Sequence, residues 1–315
     1  MKQKAKIFIL LLIIALAVYL IFLSLRQNLP FSTTDRIYQP KSYSRIVSLA
    51  PSTTEILFAL GLGDKVIGVS EFCNYPDEAK NKPRLGGLLN PNYEAIVAAK
   101  PDLVIIFDDM PGAENKFAAL GIETLTIKHD SLVEILDSIQ TIGWHCSKTE
   151  QAKLLVNEIW DKINKIQNQI QSRNRQKVII CLGHDYSQNP ATQPHNIYIA
   201  GNDGFYSEMI RFAGGQNAYD GKIPFPTVSS ESVISMNPQI IIDIAPVTQK
   251  QSDIRTTIKQ WKNFSQTDAA KNDRIYIFTE DYTAIPGPRF ILTLEKIAQA
   301  INPDIRLKED ERKSN

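Results

Sequence analysis

The sequence predicts an α/β fold of two similar lobes, each a parallel sheet covered by helices, with one long helix joining them. Three observations carry that expectation. The first is an internal repeat: Glu94 to Ile106 reads EAIVAAKPDLVII and Glu231 to Asp243 reads ESVISMNPQIIID. In each copy a Glu opens a short helix, a Pro seven places on stops it, and an apolar run of buried-strand composition follows. The second is the alternation of strand-like and helix-like segments along the chain, the pattern of a parallel sheet covered on both faces. The third is the stretch from Thr149 to Arg173, where Leu155, Ile159, Ile163, Ile166 and Ile170 recur at three- and four-residue steps among polar residues. Such a helix carries one apolar stripe and measures roughly 37 Å at 1.5 Å per residue, enough to run along both lobes while allowing little more than a small hinge motion.

In the first lobe, Arg45 to Leu49 is a strand and Pro51 to Glu55 caps an apolar helix from Ile56 to Leu60, which Gly61 and Gly63 end. Val66 to Val69 is the next strand. Asn92 then caps the Glu94 helix, Leu103 to Phe107 is a strand, Glu114 to Leu120 a helix ended by Gly121, and Thr124 to Ile127 a strand. The second lobe follows the same plan: strand Val178 to Leu182, helix Ser207 to Phe212, Ser229 as cap of the Glu231 helix, strands Ile240 to Ile244 and Arg274 to Phe278, and a closing helix from near Pro288. The expected division is an anchor or signal with a tether over 1–43, a first lobe over 44–148, the connecting helix over 149–174, a second lobe over 175–306 and a polar tail over 307–315.

At 315 residues and 43% apolar, the chain is long enough for two domains with a sizeable core. A net charge of +1, with Lys and Arg spread along the chain, supplies no basic patch for a phosphate backbone, so nucleic-acid binding is not expected. Lys2, Lys4 and Lys6 precede an unbroken apolar run from Ile7 to Leu25. As a helix it spans about 28 Å, near the ~30 Å bilayer core and longer than a signal-peptide core. It reads as an uncleaved anchor in preference to a cleaved signal, with the body outside the cytoplasm and Gln27 to Tyr43 as tether. Cys73, Cys146 and Cys181 form no CxxC pair; Cys146 and Cys181 read as small buried hydrophobes, and Cys73 stands among aromatic neighbours.

RIVSLAPSTTEILFALGLGDKVIGV, FCNYP, GGLLNPNYEAIVAAKPDLVI, PTVSSESVISMNPQIII and TEDY followed by PGPR resemble segments of the periplasmic substrate-binding proteins of ABC importers for cobalamin, iron-siderophores and haem. The resemblance runs from about Arg45 to Asn302. It implies two Rossmann-like lobes joined by one helix, a ligand held in the cleft between them, and a Glu at each lobe tip meeting Arg residues of the permease. Those Glu positions are similar to Glu94 and Glu231, the pair that the internal repeat isolates. A Glu in a first helical turn is favoured by the dipole alone, by about 0.3 to 1 kcal/mol, but two at equivalent places also suit bidentate Arg partners.

The resemblance places the ligand among three loops: Phe72 to Tyr75, Ile223 to Pro226 with Phe225, and Glu280-Asp281-Tyr282. Flat aromatic faces with a few polar groups suit a macrocycle such as a corrin. Leu88 and Leu89 stand where some cobalamin binders have an aromatic. Arg84 and Arg289 are the arginines near these loops that could face an anionic chelate, and His184, with Asp185 and Tyr186 beside it, follows the first strand of lobe two as a ligand-facing residue would. A hydrogen-bonded strand-end role competes for His184. His129, His145 and His195 show no metal-site spacing. An enzyme is the competing class, with Glu94 and Glu231 as glycosidase carboxylates, but these sit on separate lobes and no GxSxG, HExxH or Walker lysine loop is present. An anchored binding module without a transport role is the third class. The expected protein has no cofactor or metal of its own and acts as a monomer, capturing cobalamin or a ferric chelate at the outer face of the cytoplasmic membrane for an ABC permease.

Overall fold

In the first lobe four strands, β1 (Ile46–Ser48), β2 (Val66–Val69), β3 (Leu103–Phe107) and β4 (Thr124–Ile127), run parallel in the order β2-β1-β3-β4. Period-two alternation assigns their side chains to two layers: Leu103, Ile105 and Phe107 enter the core shared with the connecting helix, while Val104 and Ile106 join Phe117 and Ile96 on the opposite face. The covering helices are α1 (Pro51–Ala59), α2 (Tyr93–Ala98), α3 (Ala113–Ala119) and α4 (Leu132–His145). Asn92 caps α2 by accepting from the Ala95 N–H at 3.0 Å. Helix α4 has no counterpart among the elements expected from sequence, although Ser131 caps it through the Glu134 N–H and its buried Leu132, Ile135, Leu136, Ile139 and Ile142 have helical spacing.

This computed structural model describes residues 41–171, 173–185, 189–245 and 251–307. The Ile7 to Leu25 run, Tyr186, most of the tether and nearly all of the polar tail lie outside them. Among the described residues no helix is long and apolar enough to cross a membrane. The end of the expected tether is docked instead of free: Tyr43 is buried, and both its hydroxyl and the Lys41 ammonium reach Glu123, at 2.8 and 2.9 Å.

Helix α5 (Thr149–Ile170) connects the lobes, its 22 residues giving about 33 Å. Its fully buried stripe is Ala152, Val156, Ile159, Ile163, Ile166 and Ile170, whereas Leu155 is only partly covered at the edge. Beyond it, β5 (Gln176–Gly183), β6 (Ile197–Ile199), β7 (Gly215–Asn217), β8 (Thr227–Val228), β9 (Ile240–Ile244) and β10 (Ile275–Phe278) form the second sheet, ordered β10-β9-β5-β6-β8 with β7 also on β5. Helices α6 (Phe205–Phe212), α7 (Ser230–Met236), α8 (Gln251–Lys262), α9 (Asp268–Lys271) and α10 (Phe290–Ile301) accompany it.

This second sheet is mixed, a departure from the all-parallel expectation. β6 runs antiparallel to β5, and β8 antiparallel to β6. Both are too short, at three and two residues, to show a hydrophobic period, and their pairing depends on long-range backbone bonds. One apolar cluster runs from Ile46 and Leu57 through Val156 and Ile163 to Ile180 and Phe290, so the lobes share a continuous core along α5. From Lys41 onward the chain is a single unit. All three cysteines are free and buried, and burial pushes the Cys146 thiol up to about 11.

Candidate functional site

In parallel α/β sheets the crevice outside the carboxyl ends of the strands is where ligands bind, because the loops there face a common opening. The loop after β2 leaves that edge of the first sheet. Cys73 is fully buried there, its Sγ 3.1 Å from both Thr54 Oγ1 and Ser70 Oγ. Arg84 donates to the carbonyls of Ser70 at 2.9 Å and Cys73 at 2.8 Å. Tied from both sides, the loop turns Phe72 and Tyr75 outward, 67% and 45% exposed. Nearby, Gly86 adopts φ +91 and lies so close to the following turn that a Cβ would meet the Asn92 nitrogen at 2.6 Å. That tight turn leaves Leu89 90% exposed at its tip.

In the second lobe, the segment Ile223 to Pro226 is held against β6 and the residues after it. The N–H groups of Ile199, Gly201 and Asn202 donate to the carbonyls of Pro226, Pro224 and Ile223. Gly201 permits that approach, since a Cβ would stand 2.3 Å from the Ile223 oxygen. Phe225 projects from this segment, 41% exposed, its ring stacked on Tyr198 with centroids 5.9 Å apart.

After β10, a 3-10 turn (Asp281–Ala284) carries the third loop. Asp281 accepts both ends of the Arg289 fork at 3.0 Å, and this pairing outweighs partial burial to hold its carboxyl below the usual range. The other Nη2 contact of Arg289 is Glu55 of α1, at 2.6 Å. Its guanidinium also lies 3.8 Å from the Tyr75 ring centroid and 5.6 Å from that of Tyr282. Burial, reinforced by the Glu280 carboxylate, pushes the Tyr282 phenol up to about 12, so it remains a neutral donor. Glu280 itself is paired with Lys296.

Phe72, Tyr75 and Phe225 are thus exposed on loops of the two lobes and Asp281 and Tyr282 are half-buried in the turn after β10, whereas His184 is withdrawn from the surface. Its side chain is fully buried, Nε2 3.0 Å from Asp243 Oδ2 and Nδ1 3.2 Å from the Asp185 carbonyl oxygen. Trp261 donates to the same Asp243 oxygen at 2.8 Å. The ligand-facing expectation for His184 is thus corrected to a buried polar cluster, because the strand-end carboxylate of Asp243 draws the imidazole inward. Arg84 and Arg289, the two candidates for an anionic ligand, are both engaged within the protein. Among the described residues no group of three or more His, Cys, Asp or Glu side chains is arranged to hold a metal ion.

Glu94 and Glu231 are exposed in the first turns of α2 and α7. Each helix precedes a parallel strand, β3 or β9, so its N-terminus lies at the carboxyl edge of its sheet, the edge from which the loops after β2 and β10 also leave. The Ser229 hydroxyl holds the Glu231 carboxyl below its usual range. Sequence reasoning gives Glu55 no role beyond the start of its helix, whereas it meets Arg289. Its signal was present: a carboxylate between Thr54 and Ile56, on the buried side of an apolar helix.

Known proteins agree with this architecture. A family model described as periplasmic binding protein matches residues 46–282. A Bacillus subtilis (strain 168) protein named as an uncharacterized ABC transporter substrate-binding lipoprotein, YvrC, is 31% identical over 271 residues, covering 84% of this chain and 82% of that protein. The crystal structure of a possible iron-binding, periplasmic solute-binding protein from Staphylococcus epidermidis ATCC 12228 superposes with a TM-score of 0.68 at 32% identity, covering 83% of this chain and 100% of the other. That of the periplasmic vitamin B12 binding protein of Vibrio cholerae gives a TM-score of 0.69 at 27% identity over 83% and 97% of the two chains. With two α/β lobes on one connecting helix, and matches that span most of its length, the chain belongs to the periplasmic binding protein family.

Proposed function

We propose that this protein is the extracytoplasmic substrate-binding protein of an ABC importer, capturing cobalamin or a related corrinoid between its lobes and delivering it without chemical change. The observation that supports the corrinoid is a set of exposed apolar side chains on both lobes, Phe72, Tyr75, Leu89 and Phe225, while Arg84 and Arg289 are tied to carbonyls and carboxylates. Broad apolar contact with few free charges favours a large ligand of low charge. A ferric chelate or haem is the second reading, favoured by the likeness to the possible iron-binding protein of S. epidermidis. Residues 44–148 and 175–306 serve as the two jaws in this reading and 149–174 as their hinge. Glu94 and Glu231 are the docking points for permease arginines, and the protein acts as a monomer.

Titrating the purified protein with cyanocobalamin, haemin and a ferric hydroxamate, read by ligand absorbance after equilibrium dialysis, tests the assignment. Saturable binding of cyanocobalamin alone is the expected result; preference for an iron chelate selects the second reading. Phe225→Ala and Tyr282→Ala are each expected to weaken binding by about 1 to 3 kcal/mol, the scale for an aromatic contact at a recognition hot spot. Unchanged affinity in both variants would remove these loops from the site.

The Ile7 to Leu25 run is proposed as a retained anchor. Protein made in cells is then expected in the membrane fraction with its N-terminal mass intact. A soluble body beginning between Gln27 and Tyr43 would show cleavage instead.

A further inference from the structure

We infer that Arg289 is a positioning residue that assembles the aromatic walls of the cleft from both lobes; this rests on the reading of Tyr75 and Tyr282 as ligand-contacting. The lobes meet closely where it stands. A Cβ at Gly287 would lie 3.1 Å from both Glu55 Oε2 and the Ser52 Cα of α1, so the segment before α10 is set directly on the first lobe. Arg289 crosses this junction. Its guanidinium forks onto Asp281 of its own lobe, reaches Glu55 of the other at 2.6 Å, and faces the rings of Tyr75 and Tyr282, one from each lobe. A second contact keeps the same relation of lobes: Glu208 of α6 accepts from the Leu132 N–H at the start of α4, at 2.8 Å.

Stability alone does not account for the cluster. The side chains of Glu55 and Arg289 are 2% and 14% exposed, and burying such charges costs nearly as much as their attraction returns. Glu55 Oε2 and Arg289 Nε have no hydrogen-bond partner, a further cost. What the arrangement does supply is geometry. A planar guanidinium held by two carboxylates at fixed angles has a flat face on which an aromatic ring can rest, which a lysine ammonium cannot reproduce. Tyr75 and Tyr282 are thereby held against one guanidinium, and Arg289 controls cleft shape without meeting the ligand.

Full-length protein labelled with 3-fluorotyrosine, its Tyr75 and Tyr282 resonances assigned by Tyr75→Phe and Tyr282→Phe, provides a readout that needs no ligand. Arg289→Lys and Arg289→Met are both expected to move the two fluorine signals while the protein still melts cooperatively. Affinity for whichever of cyanocobalamin, haemin or ferric hydroxamate binds the wild type should fall roughly tenfold in both, the order of one desolvated cation–π contact. Failure of lysine to restore affinity separates positioning from simple charge pairing. Unmoved fluorine signals, full rescue by lysine, or loss of folding in both variants would overturn the inference. Should none of the three probes bind the wild type, the ligand reading falls while the fluorine signals still decide the role of Arg289.

Discussion

Replacing Glu94 and Glu231 together by lysine is expected to abolish productive association with the permease while leaving ligand capture and melting temperature unchanged. Both carboxylates are exposed in first helical turns, and neither is in the crevice-wall contacts described above, so little of the fold depends on them. Losing one partner of a close interfacial charge pair costs about 2 to 5 kcal/mol, and reversal adds like-charge repulsion. The double variant should therefore bind the permease more than about a hundredfold more weakly, a difference of roughly 3 kcal/mol. Association of the wild type should also weaken with salt, since exposed charges are screened beyond about 8 to 10 Å. Permease in nanodiscs, titrated with ligand-loaded protein, gives both quantities. A double variant that still docks but no longer holds ligand would overturn the docking assignment.

Trp261→Ala is expected to destabilise the protein by about 3 to 5 kcal/mol, the range for removing a large buried aromatic. Trp261 is fully buried against Phe264 and donates to Asp243, itself wholly buried beneath the carboxyl end of β9. The alanine variant leaves a cavity and removes one of the two donors shown on Asp243 Oδ2. Chemical denaturation measures the loss, and a change below about 1 kcal/mol would mean that the cavity collapses freely. The paired histidine adds a pH dependence. Burial lowers the His184 pKa, but the hydrogen bond and charge of Asp243 outweigh it, so the folded value is raised. Stability from the pair is then fully present below about pH 6.5, the ordinary value, and is lost as pH rises through the raised one. The stability gap between wild type and His184→Gln should shrink over that interval.

The repeated helix–strand unit of each lobe was legible in sequence because its elements are locally specified. Asn92 and Ser229 cap α2 and α7 through bonds three residues away, and β3 and β9 are continuous apolar runs after a proline. β6, β8 and α8 were not legible. Their apolar residues are few, and what fixes them lies far along the chain, as where Pro226 pairs with Ile199. His184 shows the same limit at the site. A histidine at a strand end can turn outward or inward, and Asp243, 59 residues away, decides.

By itself the sequence determined the two-lobed α/β plan, the connecting helix and the matched acids, since each is written in short-range spacing: capping positions, apolar periods and a repeat. Only the tertiary structure decided what the charged groups near the cleft do. Arg289 has Asp281 eight positions before it, but Glu55 is 234 positions away and Tyr75 lies on the other lobe. Whether a guanidinium faces a ligand or is held between carboxylates depends on which side chains folding brings within about 3 Å, the range over which charge-assisted hydrogen bonds form. No local pattern encodes that proximity.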